Sequence, residues 1–210
     1  MSDSSFELAD FTTWIQWSRP FSLPVEEFSN GFEESEFERV SSDEDEMEYT
    51  FSDGSIYISY NVDDAAVSAT TAEVETFEQA VDALSRFASD WSTTDPPDQY
   101  SVAGEVIVRH APDDGKTTAA DALAQFLDGP EMVPGLAVEG ARPLTYRYTN
   151  AHRQNPDPTV DIKIEPYVEN PEYFYIVVRK AGTERSSVWD TARGIPATIE
   201  SLVELVTDND

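Results

Sequence analysis

The chain has 210 residues, 40% of them hydrophobic, with a formal net charge of -29 and no cysteine. This hydrophobic content is enough for a core and argues against wholesale disorder. The lack of cysteine excludes disulfides, thiolate nucleophiles and cysteine-based metal sites. Residues 1–7 lack the basic and apolar regions of a signal peptide, and no apolar run approaches the length of a membrane span. We therefore expect a soluble cytoplasmic protein without a membrane partner.

The acidic excess has an unusual make-up. Asp and Glu number 42 against 13 Lys and Arg, and the lysines among these are Lys116, Lys163 and Lys180. This composition resembles that of cytoplasmic proteins of salt-accumulating haloarchaea. At multimolar salt the Debye length is about 3 Å or less, so repulsion among surface carboxylates is screened. The alternative is an acidic partner-binding protein, such as a nucleic-acid mimic. A mimic would concentrate its acids on one face, whereas these are scattered along every segment.

The first half of the chain predicts five strands and two helices. Residues 1–10 indicate a short acidic tail or edge segment. Alternation of apolar and polar residues predicts strands at residues 12–17, 37–42, 47–52, 56–62 and 66–74. Asp53-Gly54 between two such runs indicates a hairpin, and the acidic run 43–46 a solvated turn. Pro24 suits the first position of a short helix over 24–32. Thr76 and Gln79 form a capping box before a helix with this apolar stripe: Phe77, Ala80, Val81, Leu84, Phe87, Ala88 and Trp91.

The second half repeats this order of elements. Strands are expected at residues 101–110, 136–139, 144–148, 160–165 and 173–180. Thr118 with Asp121 begins a helix that Gly129-Pro130 ends. Pro196 is expected to start the last helix, and Trp189 to pack on the core. The side chains that we expect to be buried are Phe77, Val81, Leu84, Phe87, Ile162, Ile164, Ile176, Val178, Ile199, Leu202 and Val203.

These elements predict an α+β fold. It consists of two tandem repeats of strand, helix, three or four antiparallel strands and helix, with the helices on one face of an antiparallel sheet. The first repeat is expected at residues 1–92, a linker at 93–99 and the second repeat at 100–210, the two sharing one sheet or core. Residues 1–100 hold 24 acidic and 3 basic residues, against 18 and 10 in residues 101–210.

The order of elements is similar to that of the tandem repeats of TATA-binding proteins, and more loosely to that of GyrI-like effector-binding domains. Val133-Pro134-Gly135-Leu136 resembles a Pro-Gly-Leu stretch in the former family. The DNA-facing strands of that family carry basic and Asn residues and phenylalanine wedges. The corresponding strands here are acidic or aromatic. The resemblance therefore implies a topology and no functional residues, and we expect no direct binding of nucleic acid.

No motif in the sequence identifies catalytic, cofactor-binding or metal-binding residues. His110 and His152 are the two histidines, and neither H-E-x-x-H nor H-x-x-E-H occurs. The glycines form no phosphate-binding loop, and G-x-S-x-G is absent. The 42 acidic residues would hide any catalytic carboxylate among accidental pairs.

Two sets of residues are candidates for a binding site. Positive charge concentrates in the second half, where it suits either an anion or partner site or pairing with the acidic first half: Arg142, Arg147, Arg153, Arg179, Lys180, Arg185 and Arg193. Aromatic residues suit either a pocket between sheet and helices or the core: Trp14, Trp17, Tyr57, Tyr173 and Tyr175.

Three functions follow from these observations. The first is a non-enzymatic binding or protein-interaction module, with a protein partner or a second copy as its target, because no catalytic signature is present. The second is a small-molecule effector-binding domain, with a pocket between the repeats where an acidic residue meets a cationic ligand. The third is an enzyme whose acid and base residues are hidden among the surface acids.

Overall fold

A computed structural model of the protein describes residues 6–18, 38–43, 48–61, 63–91, 97–109, 118–127, 145–151, 153–154 and 156–207. For residues 6–8, 39–43, 48–49, 51, 87–91, 125–127 and 206–207 it describes the backbone alone. The elements in chain order are β1 (Phe6–Gln16), β2 (Glu38–Asp43), β3 (Glu48–Ser52), β4 (Tyr57–Asn61), β5 (Ala66–Thr71), α1 (Val74–Trp91), β6 (Gln99–Arg109), α2 (Ala119–Leu127), β7 (Tyr146–Thr149), β8 (Thr159–Pro166), β9 (Tyr173–Gly182) and α3 (Arg185–Thr207).

The nine strands form one sheet in the order β2-β3-β4-β5-β1-β6-β9-β8-β7. Every pair of neighbouring strands is antiparallel. Strands β1–β5 occupy one side of the sheet and β6–β9 the other, so the two sides meet where β1 pairs with β6. The prediction of an α+β fold with an antiparallel sheet is confirmed.

The helices cover one face of the sheet. Helix α1 packs on β1 and β5, α3 packs on β6 and β9, and α2 packs on β8. Helix α3 also contacts α1 and α2, which places all three helices on the same side. The core therefore lies between one helix layer and one face of the sheet. We call the opposite face of the sheet the distal face.

The centre of the sheet fits closely against α3. Gly104 on β6 has no room for a side chain, because an added Cβ would lie 2.5 Å from Ile195 Cγ2. Beside it, the Trp189 indole N–H donates to Thr13 Oγ1 (3.1 Å), and this hydroxyl donates to Ser101 O (3.1 Å). These two bonds join the first strand, the sixth strand and the last helix, and they satisfy the polar groups of two buried side chains.

Most of the local predictions agree with the structure. Seven of the residues expected in the core are buried: Phe77, Val81, Leu84, Ile164, Ile176, Val178 and Ile199. Ile162, Leu202 and Val203 are partly buried against the core, and the side chain of Phe87 is outside the described part. Trp189 is 3% exposed, as expected of a core residue. The Asp53-Gly54 hairpin joins β3 to β4, with Gly54 at φ 101°.

The start of α1 was predicted wrongly. The helix begins at Val74, so Thr76 lies in its first turn and does not form the expected capping box with Gln79. Strand β5 ends at Thr71, whose hydroxyl oxygen accepts a hydrogen bond from the Glu73 amide (3.1 Å). This bond turns the chain into the helix several residues before the predicted start. At α2 the expected cap is confirmed, because Thr118 and Asp121 bond reciprocally to each other's backbone amides.

The start of α3 was also predicted wrongly. The helix begins at Arg185 and continues through Pro196, which was expected to start it. A proline inside a helix costs about 3 kcal/mol relative to alanine. Buried residues continue at helical spacing on both sides of the proline: Val188, Trp189, Ala192, Ile195 and Ile199. Burial of this stripe outweighs the local cost.

The backbone also tests the predictions for residues 1–10 and for the number of helices. The acidic tail or edge segment expected at residues 1–10 is wrong in part, because β1 begins at Phe6 and lies between β5 and β6 in the sheet. The predicted features at 24–32, 129–130 and 136–139, together with His110 and His152, fall outside the described residues. Three helices are present among the described residues, where four were predicted.

A hollow on the distal face

Strand β1 shows how the sequence separates the two faces of the sheet. Phe11, Thr13 and Ile15 are fully buried beneath the helices. Because successive side chains of a strand point to opposite faces, the residues between them point to the distal face. Asp10, Thr12, Trp14 and Gln16 thus form one row along β1.

A hollow of about 560 Å³ lies on the distal face where the two sides of the sheet meet. We call it the junction hollow. Its lining comes from β1 on one side and from β6, β8 and β9 on the other: Asp10, Thr12, Trp14, Val102, Ala103, Glu105, Thr159, Asp161, Arg179, Lys180 and Ala181. In the register Trp14 stands opposite Ser101, which stands opposite Ala181. Ala103, Ser101 and Ala181 are small, which leaves space between Trp14 and the far wall.

Glu105 is the most strongly held carboxylate of the junction hollow. The Tyr175 hydroxyl donates to Glu105 Oε2 (2.6 Å), and the Arg179 guanidinium donates to Oε1. Burial alone would raise the pKa of Glu105, but the bonds from Tyr175 and Arg179 outweigh it and lower that pKa. Burial and the bond to Glu105 raise the pKa of Tyr175 to about 12. The bond to Glu105 also raises the pKa of Arg179.

Asp161 and Asp10 differ in their partners. Asp161 accepts two parallel hydrogen bonds from Arg147, at 2.8 and 2.9 Å, which is the strong bidentate geometry. Asp10 accepts a bond from the Thr12 hydroxyl (3.0 Å). Within the described residues, Asp10 is the lining carboxylate that forms no ion pair. It also stands directly opposite Glu105 in the register. Like charges placed in this way repel each other.

The basic residues do not form one anion site. Arg147 and Arg179 pair with Asp161 and Glu105, both within the second half. The Lys180 ammonium group is turned to α3, where it donates to Ser187 O (2.6 Å) and Thr191 Oγ1 (2.8 Å).

Two other basic residues reach the acidic first half, as the pairing interpretation predicts. Arg193 contacts Asp82 (3.1 Å) and Glu78 (3.6 Å) of α1. Arg185 donates to the hydroxyl of Ser85 and stacks on Trp189 at 4.5 Å. Arg142 lies outside the described residues, and for Arg153 the structure gives a backbone hydrogen bond to Asn150.

The aromatic residues do not share a pocket between sheet and helices, and the alternative interpretation, the core, holds for Trp17. Trp17 is buried in the core. Trp14 and Tyr175 lie on the distal face, where Trp14 lines the junction hollow and Tyr175 binds Glu105. Tyr57 is 48% exposed on β4. The strand alternation separates Trp14 from Trp17, because they are three residues apart.

Sequence reasoning did not single out Asp10, Glu105 or Asp161. The alternation along β1 and β6 indicates which residues share a face. The pairing of β1 with β6 is needed to place these carboxylates together, and no local pattern carries that pairing. In the part of the chain that the structure describes, no three His, Asp or Glu residues are grouped so that they could hold a metal ion.

Comparison with known proteins does not assign the chain to a family. No protein-family model matches the chain, and no curated protein is significantly similar to it. None of the described helices combines the length and the apolar character needed to cross a membrane.

Proposed function

We propose that the protein is a non-enzymatic binding module whose ligand site is the junction hollow, and that the ligand is a small organic cation. The observation that carries this proposal is the row Asp10, Thr12 and Trp14 along one wall of the hollow. A carboxylate without an ion pair among the described residues lies at one end and an indole at the other. Both attract cations, the first by charge and the second through its ring face.

The other charges of the hollow support a cationic ligand. Glu105 and Asp161 are neutralised by Arg179 and Arg147, so a ligand meets their paired forms. The net charge of -29 adds a long-range attraction for cations at low ionic strength. Asp10 and Trp14 are four residues apart on a strand, which separates their Cα atoms by about 13 Å. A ligand that contacts both is therefore elongated, like a polyamine.

The pKa values of Tyr175 and Glu105 support a binding role for the hollow over acid–base catalysis. A general acid or base works best with a pKa near the operating pH. The pKa of Tyr175, about 12, keeps its hydroxyl protonated, and the lowered pKa of Glu105 keeps its carboxylate ionised. Neither group exchanges protons near neutrality.

Binding of spermidine, observed at the Trp14 indole by NMR at the lowest KCl concentration that maintains the fold, tests this proposal. We expect a saturable shift of the Trp14 Nε1–H signal. Asp10→Asn should weaken binding by up to about fivefold, because an ion pair at an exposed carboxylate contributes about 0.2–1 kcal/mol.

Glu200→Gln on the exposed surface of α3 is the matched control, since it removes one carboxylate elsewhere. Equal weakening by Asp10→Asn and Glu200→Gln would mean that spermidine follows the overall charge, and it would overturn the proposal. A Trp14 signal that spermidine does not shift would also overturn it.

We also propose that the chain contains two tandem copies of one α+β unit, with the boundary at residues 93–99. The strand order supports this proposal. On each side the first strand is central, the next strand is at the outer edge, and the last strand returns beside the first. A long helix then follows, α1 on one side and α3 on the other. In an experimental structure, β1, β5 and α1 should superpose on β6, β9 and α3 by a rotation near 180° about an axis between β1 and β6. Failure to superpose would contradict the duplication.

A further inference from the structure

The distal face carries a second hollow on the other side of Trp14. It measures about 420 Å³, and Trp14 separates it from the junction hollow. Its remaining lining includes Gln16, Ser59, Asn61 and Ser68. We call it the hydroxyl hollow. It lies over β1, β5 and β4, which belong to the strongly acidic first half.

Apart from Asp64, the described side chains that line the hydroxyl hollow are uncharged, in contrast to the rest of the chain. Charged residues make up 26% of the sequence. The strand alternation and the register place nine residues of three neighbouring strands on this part of the distal face, none of them charged: Thr12, Trp14, Gln16, Tyr57, Ser59, Asn61, Ala66, Ser68 and Thr70. Asp64 borders the hollow at one end. Its backbone carbonyl accepts a bond from the Gln16 amide (3.3 Å), and its backbone amide donates to Asn61 Oδ1 (2.9 Å).

Two aromatic side chains flank this uncharged surface. Trp14 is half-buried on β1, and Tyr57 is 48% exposed on β4. Tyr57 stands opposite Thr70, which stands opposite Thr12, so Tyr57 and Trp14 are two strands and two residues apart. Their Cα atoms are therefore about 12 Å apart. Between them lie the hydroxyls of Thr12 and Thr70, which bond to each other at 3.0 Å. The surface thus offers two aromatic side chains with hydroxyl and amide groups between them.

We propose that the hydroxyl hollow binds an uncharged oligosaccharide, with one sugar ring stacked on Trp14. The C–H face of a sugar ring is apolar and packs on an indole, while its hydroxyl groups need donors and acceptors at the ring edge. Gln16, Asn61 and Ser68 supply both. Nucleic acids carry phosphate groups, which this acidic half repels. A neutral ligand meets no such repulsion, and its binding does not depend on salt. The inference concerns a different ligand from that of the junction hollow.

The test uses three neutral probes, cellotetraose, maltotetraose and mannotetraose, with the full chain in high KCl. We expect at least one of them to shift the Trp14 indole signal and the Asn61 side-chain amide signal saturably. Ser68→Arg places a long side chain in the hollow and should abolish both shifts. Ser201→Arg, the same substitution at an exposed position of α3, should leave them unchanged. Spermidine should still shift Trp14 in the Ser68→Arg variant, which shows that the variant is folded.

Ser68→Val provides a second variant if the arginine prevents folding. It keeps a strand-forming side chain but removes the hydroxyl, and should weaken binding several-fold. The inference is overturned if none of the three sugars shifts Trp14 at tens of millimolar, or if a sugar binds equally well to both Ser68 variants and the unchanged protein. If sugar binds but spermidine does not, the proposed cation site is contradicted and the sugar site is not.

Discussion

Glu105 connects a group of polar and charged side chains at the centre of the distal face. Its carboxylate accepts bonds from Tyr175 and Arg179, and Lys163 lies 5.3 Å from the centre of the Tyr175 ring. The lowered pKa of Glu105 means that its ionised form stabilises the fold at neutral pH. This contribution is lost as the pH falls through the folded-state pKa. The pKa of Tyr175 is raised, so its contribution to stability depends on pH in the opposite direction. Its contribution is present below about pH 10 and is lost as the pH rises through about 12.

Glu105→Gln should lower the pKa of Tyr175 below its present value of about 12. The substitution removes the charge that disfavours the phenolate. The pKa should remain above the ordinary value of about 10, because burial, which is the larger cause, persists. The ¹³Cζ chemical shift of Tyr175 as a function of pH measures the change. Glu165 contributes much less to this pKa, so Glu165→Gln should leave it nearly unchanged. An equal effect of both variants would show that Glu105 has no special role.

Strand β6 and helix α3 determine how closely the two layers approach. Gly104 lies at the centre of β6, and its missing side chain lets Ile195, Phe11 and Ile199 pack against the backbone. A glycine normally weakens a strand. At Gly104 the close contact with α3 leaves no room for a side chain.

Gly104→Ala should destabilise the protein by about 1–3 kcal/mol, the usual cost of overpacking a core. The new methyl group would lie 2.5 Å from Ile195 Cγ2 and 3.2 Å from Phe11 Cδ1. Gly194→Ala is the control within α3, because nothing lies within 4 Å of the added carbon. It should stabilise the helix by up to about 1 kcal/mol. Denaturant unfolding at high KCl measures both changes, and similar values for the two variants would contradict the packing argument.

The accuracy of sequence prediction also differs among elements. Alternation of apolar and polar residues, together with β-branched and aromatic content, located the nine described strands. Local patterns failed at Pro196, where tertiary packing of the Trp189–Ile195–Ile199 stripe continues a helix that the proline disfavours. Local patterns also predicted neither of the two hollows. A hollow depends on which residues stand opposite each other on different strands, and Trp14 and Ser101 are brought together by the register alone.

The whole molecule combines one continuous sheet with an uneven charge. Three acidic residues of α1, Glu75, Glu78 and Asp82, lie on the exposed surface of that helix. The ion pairs do not change the net charge of -29, because the 13 basic residues are already counted in it. At low ionic strength the remaining repulsion opposes compaction.

The melting temperature should rise steeply with KCl, with partial or complete unfolding in dilute buffer. Ordinary stability is about 5–15 kcal/mol, so unscreened repulsion of a few kcal/mol is enough to unfold the chain. Mild acid at low salt should partly replace KCl, because protonation removes the same charges. A nucleic-acid mimic would instead be stable in dilute buffer and lose its partner as salt rises. Thermal melts from dilute buffer to multimolar KCl decide between these forecasts, and a flat melting temperature would rule out salt adaptation.

The position of β1 at the middle of the sheet affects the synthesis of the protein. Thr13 bonds to Ser101, 88 residues away, and to Trp189, 176 residues away. Strand β1 therefore completes its contacts only after Trp189, 176 residues later in the chain, has been synthesised. Such distant contacts slow folding, and the waiting edge of β1 could pair with another chain. The high negative charge of the first half makes incompletely folded chains repel one another. It therefore keeps nascent chains apart while β1 is not yet paired with β6.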